Sequence, residues 1–166
     1  MPIDGVLQPE LIEIEHGLRL KKFSEIDPRA IGWYQDPETV LLVDGVARPY
    51  DAETLERMYS ILERCGELYY IEVEKDGEFL PIGDVTFWQQ DMPIVIGEPE
   101  LRGKGIGKKV IAALIERGRH LGYSELFAGE IYDFNTASQR CFESLGFKKN
   151  ERTEKGWSYR LALKGE

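Results

Sequence analysis

Arg102-Gly103-Lys104-Gly105-Ile106-Gly107 is the stretch that decides the fold, and it lies between a short apolar run and a segment with helical spacing of apolar residues. Its alternate glycines leave the backbone bare, so that main-chain N–H groups can approach an anion. A helix that begins here adds its own unpaired N–H groups and the positive end of its dipole, about half an elementary charge. The stretch therefore predicts a strand-to-helix turn that binds phosphate.

The charge around this turn differs from that of the whole chain. The formal net charge is −9, yet four bases occur within eight residues: Arg102, Lys104, Lys108 and Lys109. Lysines near a helix N-terminus oppose the dipole, so this cluster favours a bound anion over a solvated helix start. The overall acidic balance argues against a general nucleic-acid-binding protein, which needs a basic face. It is compatible with a cationic substrate.

Length and composition indicate one cytoplasmic domain. The 166 residues, 42% of them hydrophobic, predict a single domain over 1–166, with residues 1–9 and 164–166 peripheral. No apolar run approaches the roughly 20 residues of a membrane span, and no signal segment opens the chain. Cys65 and Cys141 lack metal-ligand spacing, so we expect free, buried thiols and no metal.

The first half of the chain predicts two hairpins separated by helices. A hairpin is expected over 11–21, and residues 24–50 predict short helices and loops without clear boundaries. A helix follows Asp51, which we expect to be its N-cap. The next hairpin turns at Asp76-Gly77, a strong hairpin signal.

The second half alternates strands with helices. A short strand at 93–96 precedes the glycine turn, and the following helix should stop at Gly122. After a strand at 125–131, Asn135 should cap a second helix, and a hairpin closes the chain. Its predicted buried face is Ala137, Cys141 and Leu145. The order predicts an α/β (α+β) fold, with one mixed, mostly antiparallel sheet of about seven strands flanked by about four helices.

Spacing excludes two familiar phosphate-binding loops. A Walker A loop needs two glycines separated by four residues and then Lys-Ser/Thr, and counting from Gly103 places Lys108 at the second glycine. A dinucleotide-binding loop fits Gly103 and Gly105, but its third glycine would also be Lys108. A tight turn with no ligand is the remaining alternative.

A second motif follows downstream. Asn135-Thr136-Ala137-Ser138 begins a helix that ends in Leu145-Gly146-Phe147. With Arg102, Gly105 and Gly107, it resembles the paired signatures of the GNAT superfamily of N-acetyltransferases, an Arg/Gln-x-x-Gly-x-Gly/Ala loop followed by an Asn-x-x-Ala/Ser helix ending in Leu-Gly-Phe. The strand order is also similar to that family over most of residues 10–163.

The resemblance implies acetyl-CoA as co-substrate. The loop amides would hold its pyrophosphate, and the open edge of the preceding strand would pair with the pantetheine arm. The next strand would diverge from that edge and so admit the thioester. Asn135 would form a hydrogen bond to the pantetheine or orient the site. The implied cofactor-binding residues are Val95, Ile96, Gly97, Arg102, Gly103, Lys104, Gly105, Ile106, Gly107, Lys108 and Asn135.

Acetyl transfer requires the amine to lose its proton, because an alkylammonium with a pKa near 10.4 has no lone pair to attack with. Glu130, at a strand end where family members often place an acid, is the predicted base, acting directly or through water. A surface glutamate without function is the alternative, and Glu98 and Asp91 are weaker candidates. Phe142 stands where many members have a tyrosine that protonates the thiolate.

That departure leaves the general acid open. Tyr132 could substitute, or the thiolate could leave unassisted, because a thiol has a pKa near 8.5. A β-strand N–H near Ile96 is the predicted donor to the developing oxyanion.

The acceptor side is predicted from the segment 24–50. Trp33, Tyr34 and Asp36 are the expected substrate-binding residues, in a stretch resembling the branch with ribosomal-protein and aminoglycoside 6'-N-acetyltransferases. Aromatic and acidic groups suit a cationic amine. The alternative is that Trp33 and Tyr34 belong to the core and that Asp36 lies in a turn.

These observations lead to three functional hypotheses. The first is an N-acetyltransferase acting on a primary amine in a ternary complex, with a small cationic substrate such as an aminoglycoside or with a protein N-terminus. The second is a non-catalytic acyl-CoA sensor, and the third is a nucleotide-binding regulator. The expected partners are a small-molecule or peptide amine, with neither nucleic acid nor membrane, in a monomer or homodimer.

Overall fold

The computed structural model describes residues 1–164 and divides the chain into two compact units. Unit 1 holds residues 1–88 and 94–102, and unit 2 holds residues 89–93 and those from 103 onward. The predicted α/β class is confirmed, with eight strands and five α-helices among the described residues. The single-domain organisation over 1–166 stays a prediction, and residues 165 and 166 of its peripheral end lie outside the described residues.

Unit 1 is an antiparallel sheet with three helices. Its elements are β1 (Leu11–Glu15), β2 (Leu18–Lys22), α1 (Pro28–Trp33), α2 (Pro37–Asp44), α3 (Ala52–Cys65), β3 (Glu67–Lys75), β4 (Glu78–Phe87), β5 (Ile94–Ile96) and a 3₁₀ turn, Pro99–Leu101. The strands pair in the order β1-β2-β3-β4-β5. Both predicted hairpins form, and Asp76 and Gly77 take the left-handed φ values of 53° and 81° that a tight hairpin turn requires.

Unit 2 places two helices and a smaller antiparallel sheet after the glycine turn. Its elements are α4 (Ile106–His120), β6 (Glu125–Tyr132), α5 (Thr136–Ser144), β7 (Lys148–Arg152) and β8 (Gly156–Ala162). The strands pair in the order β6-β8-β7. Gly122 has a φ of 83° just after α4, as its predicted stop requires, and Asn135 caps α5. Every residue of the edge strand β7 is exposed.

The expected mostly antiparallel arrangement of the strands is confirmed, and the strands are divided between two sheets. Every strand pair within residues 1–164 is antiparallel, and the strands form a sheet of five and a sheet of three. β5 pairs with β4 through three residues, and β6 pairs with β8 on both sides of a register shift between Ala128 and Ile131.

The predicted buried face of α5 is rotated by about one residue. Phe142 is 3% exposed and meets Phe147 edge to face, with ring centroids 5.1 Å apart. Ala137 is exposed, while Cys141 and Leu145 are only half-buried. The Phe142 ring occupies the buried position because it buries more apolar surface than the neighbouring side chains. Both cysteines are free thiols, as predicted, but neither is fully buried, because Cys65 is exposed and Cys141 is half-buried.

Two other findings concern the ends and the helices. Gln8 lies in the segment expected to be peripheral, yet it is buried and donates from Nε2 to the Leu68 carbonyl at 3.0 Å. Among the described residues, no helix combines the length and the apolar character that crossing a membrane demands.

A buried carboxylate joins two helices of unit 1 to the sheet. Asp84 of β4 is 3% exposed, and its Oδ2 accepts hydrogen bonds from the hydroxyls of Tyr34 at 2.7 Å and Tyr59 at 2.8 Å. Tyr34 ends α1 and Tyr59 lies on α3, so one oxygen atom fixes both helices. No cation pairs with Asp84 in the described part of the chain. Burial raises the pKa of Asp84 to about 6, and the two tyrosine hydroxyls lower it only in part.

We predict that Asp84→Asn changes the pH dependence of stability. The folded-state pKa of Asp84 lies above its ordinary value of 3.8, so its stabilising contribution is complete below that value and is lost as the pH rises through about 6. The free energy of unfolding of the wild type should fall by about 3 kcal/mol relative to Asp84→Asn between about pH 3.5 and pH 7, measured by urea denaturation. Glu78→Gln, at an exposed position on the same strand, should show no such difference. Parallel curves for wild type and Asp84→Asn would contradict the prediction.

Candidate functional site

The glycine loop of unit 2 presents a run of unpaired backbone donors. Gly105 is the N-cap of α4, and no side chain caps this helix. The first backbone hydrogen bond of α4 runs from the Lys109 N–H to the Gly105 carbonyl at 3.2 Å. The six N–H groups of residues 103–108 have no acceptor within residues 1–164. Such a row, at a helix N-terminus, is the geometry that binds phosphate groups.

Glycine is required in this loop for two reasons. Gly103 and Gly105 have φ values of 73° and 83°, a conformation that other residues rarely adopt. A Cβ at either position would meet no atom within 4 Å, so the space beside the loop is open on the protein's side. Lys104 and Lys108 are exposed there. An anion can therefore approach the backbone donors without displacing a side chain.

Arg102 differs from its predicted role. Its N–H donates to the Pro99 carbonyl at 3.2 Å, so the unpaired donors begin at Gly103 rather than at Arg102. Its guanidinium is also engaged within unit 1, since Nε donates to the Ile96 carbonyl at 2.9 Å and Nη2 donates to Thr39 Oγ1 at 2.6 Å. The 3₁₀ turn Pro99–Leu101 causes the difference, because its last bond uses the Arg102 amide.

The strand expected to pair with pantetheine is the edge of the five-stranded sheet. Within β5, Val95 lies opposite Asp84 and Ile96 lies opposite Gly83 on β4. Two main-chain groups at its end are already occupied: the Ile96 carbonyl accepts from Arg102, and the Gly97 N–H donates to the Ile82 carbonyl at 2.7 Å. The other side of β5 carries no partner strand in the described chain, which leaves an edge for pairing.

The aromatic residues predicted to bind substrate lie in the core of unit 1. Trp33 is 3% exposed, and its Nε1 donates to Glu98 Oε1 at 2.9 Å. Tyr34 is 1% exposed, with its hydroxyl on Asp84. This corrects the predicted substrate contacts of both residues, because burial leaves them no surface for a substrate. The core role, which the sequence left open, is the one they have.

Asp36 likewise has a structural role. It is the N-cap of α2, and its Oδ1 accepts from the Glu38 N–H at 3.2 Å. Its Oδ2 accepts from the Thr39 hydroxyl at 3.2 Å. Both carboxylate oxygens are thus engaged inside the protein, as in the turn alternative.

Glu130 is exposed at an irregularity of β6. Between Ala128 and Ile131 the register with β8 shifts, which places Glu130 in a β-bulge. Its Oε2 accepts from the Lys155 N–H at 3.1 Å, in the turn between β7 and β8. The carboxylate is accessible, and bulges often aim a side chain at a site.

Asp91 is the more enclosed acid of unit 2. Its Oδ1 accepts from the N–H groups of Met92 at 2.9 Å and Gly129 at 2.8 Å. Burial raises the pKa of this carboxyl, and the two backbone donors lower it in part. A Cβ at Gly129 would lie 3.1 Å from Asp91 Oδ2, so the glycine permits this approach. A glycine inside a strand was the signal in the sequence for a close contact here.

The segment between β6 and α5 adds an aromatic pair. Asn135 Oδ1 accepts from the Ser138 N–H at 3.2 Å, the N-cap bond that the sequence predicted. The Tyr132 and Phe134 rings stack with centroids 5.3 Å apart, and Phe134 is 48% exposed. Phe142 is buried and has no hydroxyl, so it offers no proton to a leaving group.

The fold is similar to that of known structures, each below 25% identity. A domain from Methanocaldococcus jannaschii aligns with a TM-score of 0.76 and 23% identity, over 90% of this chain and 100% of that one. A putative acetyltransferase from Salmonella typhimurium, solved with its cofactor acetyl-CoA, aligns at 0.58 and 18%, over 91% and 96%. The aminoglycoside acetyltransferase AAC(6')-Ib, solved with coenzyme A, aligns at 0.68 and 17%, over 88% and 95%.

The sequence comparisons point the same way. An uncharacterised protein of Methanocaldococcus jannaschii is 36% identical over 74 residues, which is 44% of this chain and 15% of that protein. The chain thus spans about 15% of the length of that curated relative. The model of the Acetyltransferase (GNAT) family matches residues 28–147, which is more than half of the chain and confirms the resemblance found in the sequence. This chain belongs to the acetyltransferase (GNAT) family.

Proposed function

We propose that this protein is an acetyl-CoA-dependent N-acetyltransferase that transfers acetyl to a primary amine by direct attack in a ternary complex. The observation that carries the proposal is the row of six unpaired N–H groups at residues 103–108. These donors suit the diphosphate of coenzyme A, and the positive end of the α4 dipole adds to their attraction. The solved acetyltransferase from Salmonella typhimurium contains acetyl-CoA, which supports the same ligand here.

The residues of each unit have separate tasks in this proposal. Residues 103–108 hold the diphosphate, with Lys104 and Lys108 exposed to add positive charge, and Asn135 orients the site beside its capping role. Val95–Gly97, at the end of β5, pairs with the amide groups of the pantetheine arm through the main-chain groups that Arg102 and Ile82 leave available. When bound, acetyl-CoA supplies the thioester carbonyl that the amine attacks. The Ile96 N–H is the proposed donor to the oxygen of that carbonyl.

The amine must be neutral when it attacks. Glu130 is the proposed proton acceptor, because it is exposed and keeps a free oxygen when Oε2 bonds the Lys155 N–H. It acts directly or through a water molecule. Asp91 is the second candidate, and its raised pKa suits proton acceptance better than that of an ordinary carboxylate.

We propose a small cationic amine as the acceptor, such as an aminoglycoside, in a cytoplasmic enzyme. The formal net charge of −9 favours encounter with a cation, and one structural neighbour is an aminoglycoside acetyltransferase. A protein N-terminus is the alternative acceptor. A non-catalytic acyl-CoA sensor is the alternative function, favoured by Phe142, which provides no acid for the leaving thiolate.

A free-thiol assay with acetyl-CoA tests the proposed function. The purified chain should release thiol in the presence of aminoglycosides or polyamines, and the acetylated amine should appear by mass spectrometry. Peptides with free N-termini distinguish the alternative acceptor. Tight coenzyme A binding without thiol release from any amine would support the sensor instead.

We predict that Gly105→Leu weakens coenzyme A binding by about a hundredfold, because a side chain would occupy the space where the diphosphate meets the N–H groups. Isothermal titration calorimetry measures the change. Gly77→Leu is a matched control: Gly77 has a φ of 81° against 83° for Gly105, and a Cβ at either position meets nothing within 4 Å. Both variants bear similar backbone strain, so equal loss of binding in both would contradict the assignment of the loop.

We predict that Glu130→Gln lowers kcat/KM by about a hundredfold at neutral pH, a typical effect of losing a general base. Glutamine keeps an acceptor for the Lys155 N–H, so coenzyme A affinity should not change. Glu154→Gln removes an exposed acid from the same turn and should retain activity. If Glu130→Gln is fully active and Asp91→Asn is not, the base is Asp91.

A further inference from the structure

The peptide unit between Ile96 and Gly97 is fixed on all sides. Its carbonyl accepts from Arg102 Nε at 2.9 Å, and its N–H donates to the Ile82 carbonyl at 2.7 Å. The Ile82 carbonyl also accepts from the Glu98 N–H at 3.3 Å, and Ile82 is the extra residue of a bulge between β3 and β4. Both polar atoms of one peptide bond are therefore satisfied from outside β5.

The indole of Trp33 closes the third side of this peptide. A Cβ at Gly97 would lie 2.1 Å from the Trp33 ring, so the ring packs directly on the glycine Cα. Trp33 is itself held by the bond from its Nε1 to Glu98. This packing requires glycine at position 97, where any side chain would collide with the ring.

Arg102 is in turn held by α2. Its Nη2 donates to Thr39 Oγ1 at 2.6 Å, and Thr39 is 1% exposed. A hydroxyl has one proton to donate, and Thr39 donates it to Asp36 Oδ2 at 3.2 Å while accepting from Arg102. We call Asp36, Thr39 and Arg102 the clasp. Glu38 adds only an exposed ion pair with Arg102 at 3.9 Å, which has little weight.

The clasp stabilises the position of β5, which its own ladder bonds hold only weakly. A strand of three residues at a sheet edge has few ladder bonds, and an edge strand is easily displaced. A shift of about 1 Å in a group that orients a reacting carbonyl can lower a rate about a hundredfold. The clasp fixes the strand end from the helix side, through a buried hydroxyl and a fork of guanidinium donors.

We infer that Thr39 and Arg102 are positioning residues for acetyl transfer, which hold the carboxyl end of β5 so that the main chain orients the thioester. This inference rests on the proposed function. Asp36 then serves the reaction as the acceptor that orients the Thr39 hydroxyl, in place of its predicted substrate contact. The guanidinium of Arg102 forms a hydrogen bond to the end of β5, and residues 103–108 bind the diphosphate.

Thr39→Val tests the clasp because it removes the hydroxyl and keeps the shape of the side chain. We expect kcat to fall about tenfold while the Kd for coenzyme A changes less than about threefold, since the diphosphate donors are untouched. Thr39→Ser retains the hydroxyl and should restore most of the wild-type kcat. Rates are compared per folded protein, well below each variant's melting temperature, so that loss of stability alone does not lower kcat.

A second measurement does not depend on turnover. In the wild type, the Gly97 N–H is bonded to Ile82, so its amide hydrogen exchanges slowly. Thr39→Val should accelerate exchange at Gly97 about tenfold relative to Ile71 on the central strand β3, as followed by NMR. Arg102→Lys should act in the same direction, because one ammonium cannot reproduce the planar fork.

The outcomes separate the two proposals. A lower kcat with retained coenzyme A affinity, rescue by serine and faster Gly97 exchange support the clasp. Unchanged kcat, unchanged Gly97 exchange, or a serine variant as impaired as the valine variant overturns it. If the wild type acetylates no amine, the proposed function fails, and the Gly97 exchange rate alone decides whether the clasp holds β5.

Discussion

Backbone N–H groups favour an acceptor, and six successive ones in the glycine loop have none among residues 1–164. A folded chain usually caps a helix start with a side chain, but Gly105 supplies none. The local lysines increase the positive potential where a cap would have reduced it. Together these features make the start of α4 a favourable place for an anion. Membership of the acetyltransferase (GNAT) family is the reason for proposing the diphosphate of coenzyme A as that anion.

In unit 1, the cost of burying the Asp84 carboxylate opposes the benefit of the hydrogen bonds that it accepts. Asp84 is a carboxylate in an aromatic core, without a compensating cation among the described residues, and it accepts hydrogen bonds from two tyrosine hydroxyls. An apolar residue at this position would avoid the cost of burying a charge, but it would also remove the hydrogen bonds that join the end of α1 and the middle of α3 to β4. The carboxylate thus exchanges some stability at neutral pH for a defined arrangement of both helices. Asp84 lies directly opposite Val95, so this arrangement extends to the strand that bears the proposed pantetheine edge.

Local signals in the sequence were enough for the elements, because their causes are local. Asp76-Gly77 specifies its turn through left-handed φ values, and Asn135 specifies a helix start through its own side chain. No local pattern encodes the buried position of Tyr34 or the hydrogen bond from Arg102 to Thr39, because both depend on residues that are distant in the sequence. The division of the strands between two sheets likewise depends on pairing between segments that are distant in the sequence. The loop motif identified the right turn but misassigned its first residue, because a 3₁₀ turn consumes the Arg102 amide.

The edge strand β7 has a consequence for how copies of this protein meet. Its sequence is Lys-Lys-Asn-Glu-Arg, and all five residues face solvent. An open strand edge can recruit a second chain into a continuous ladder, and charged side chains, lysine above all, discourage such recruitment. Lys149 and Arg152 also lie over the Trp157 ring on the neighbouring strand. These two cations cover part of an aromatic face that could otherwise contact another molecule. Concentrated solutions should therefore resist fibrillar stacking along this side.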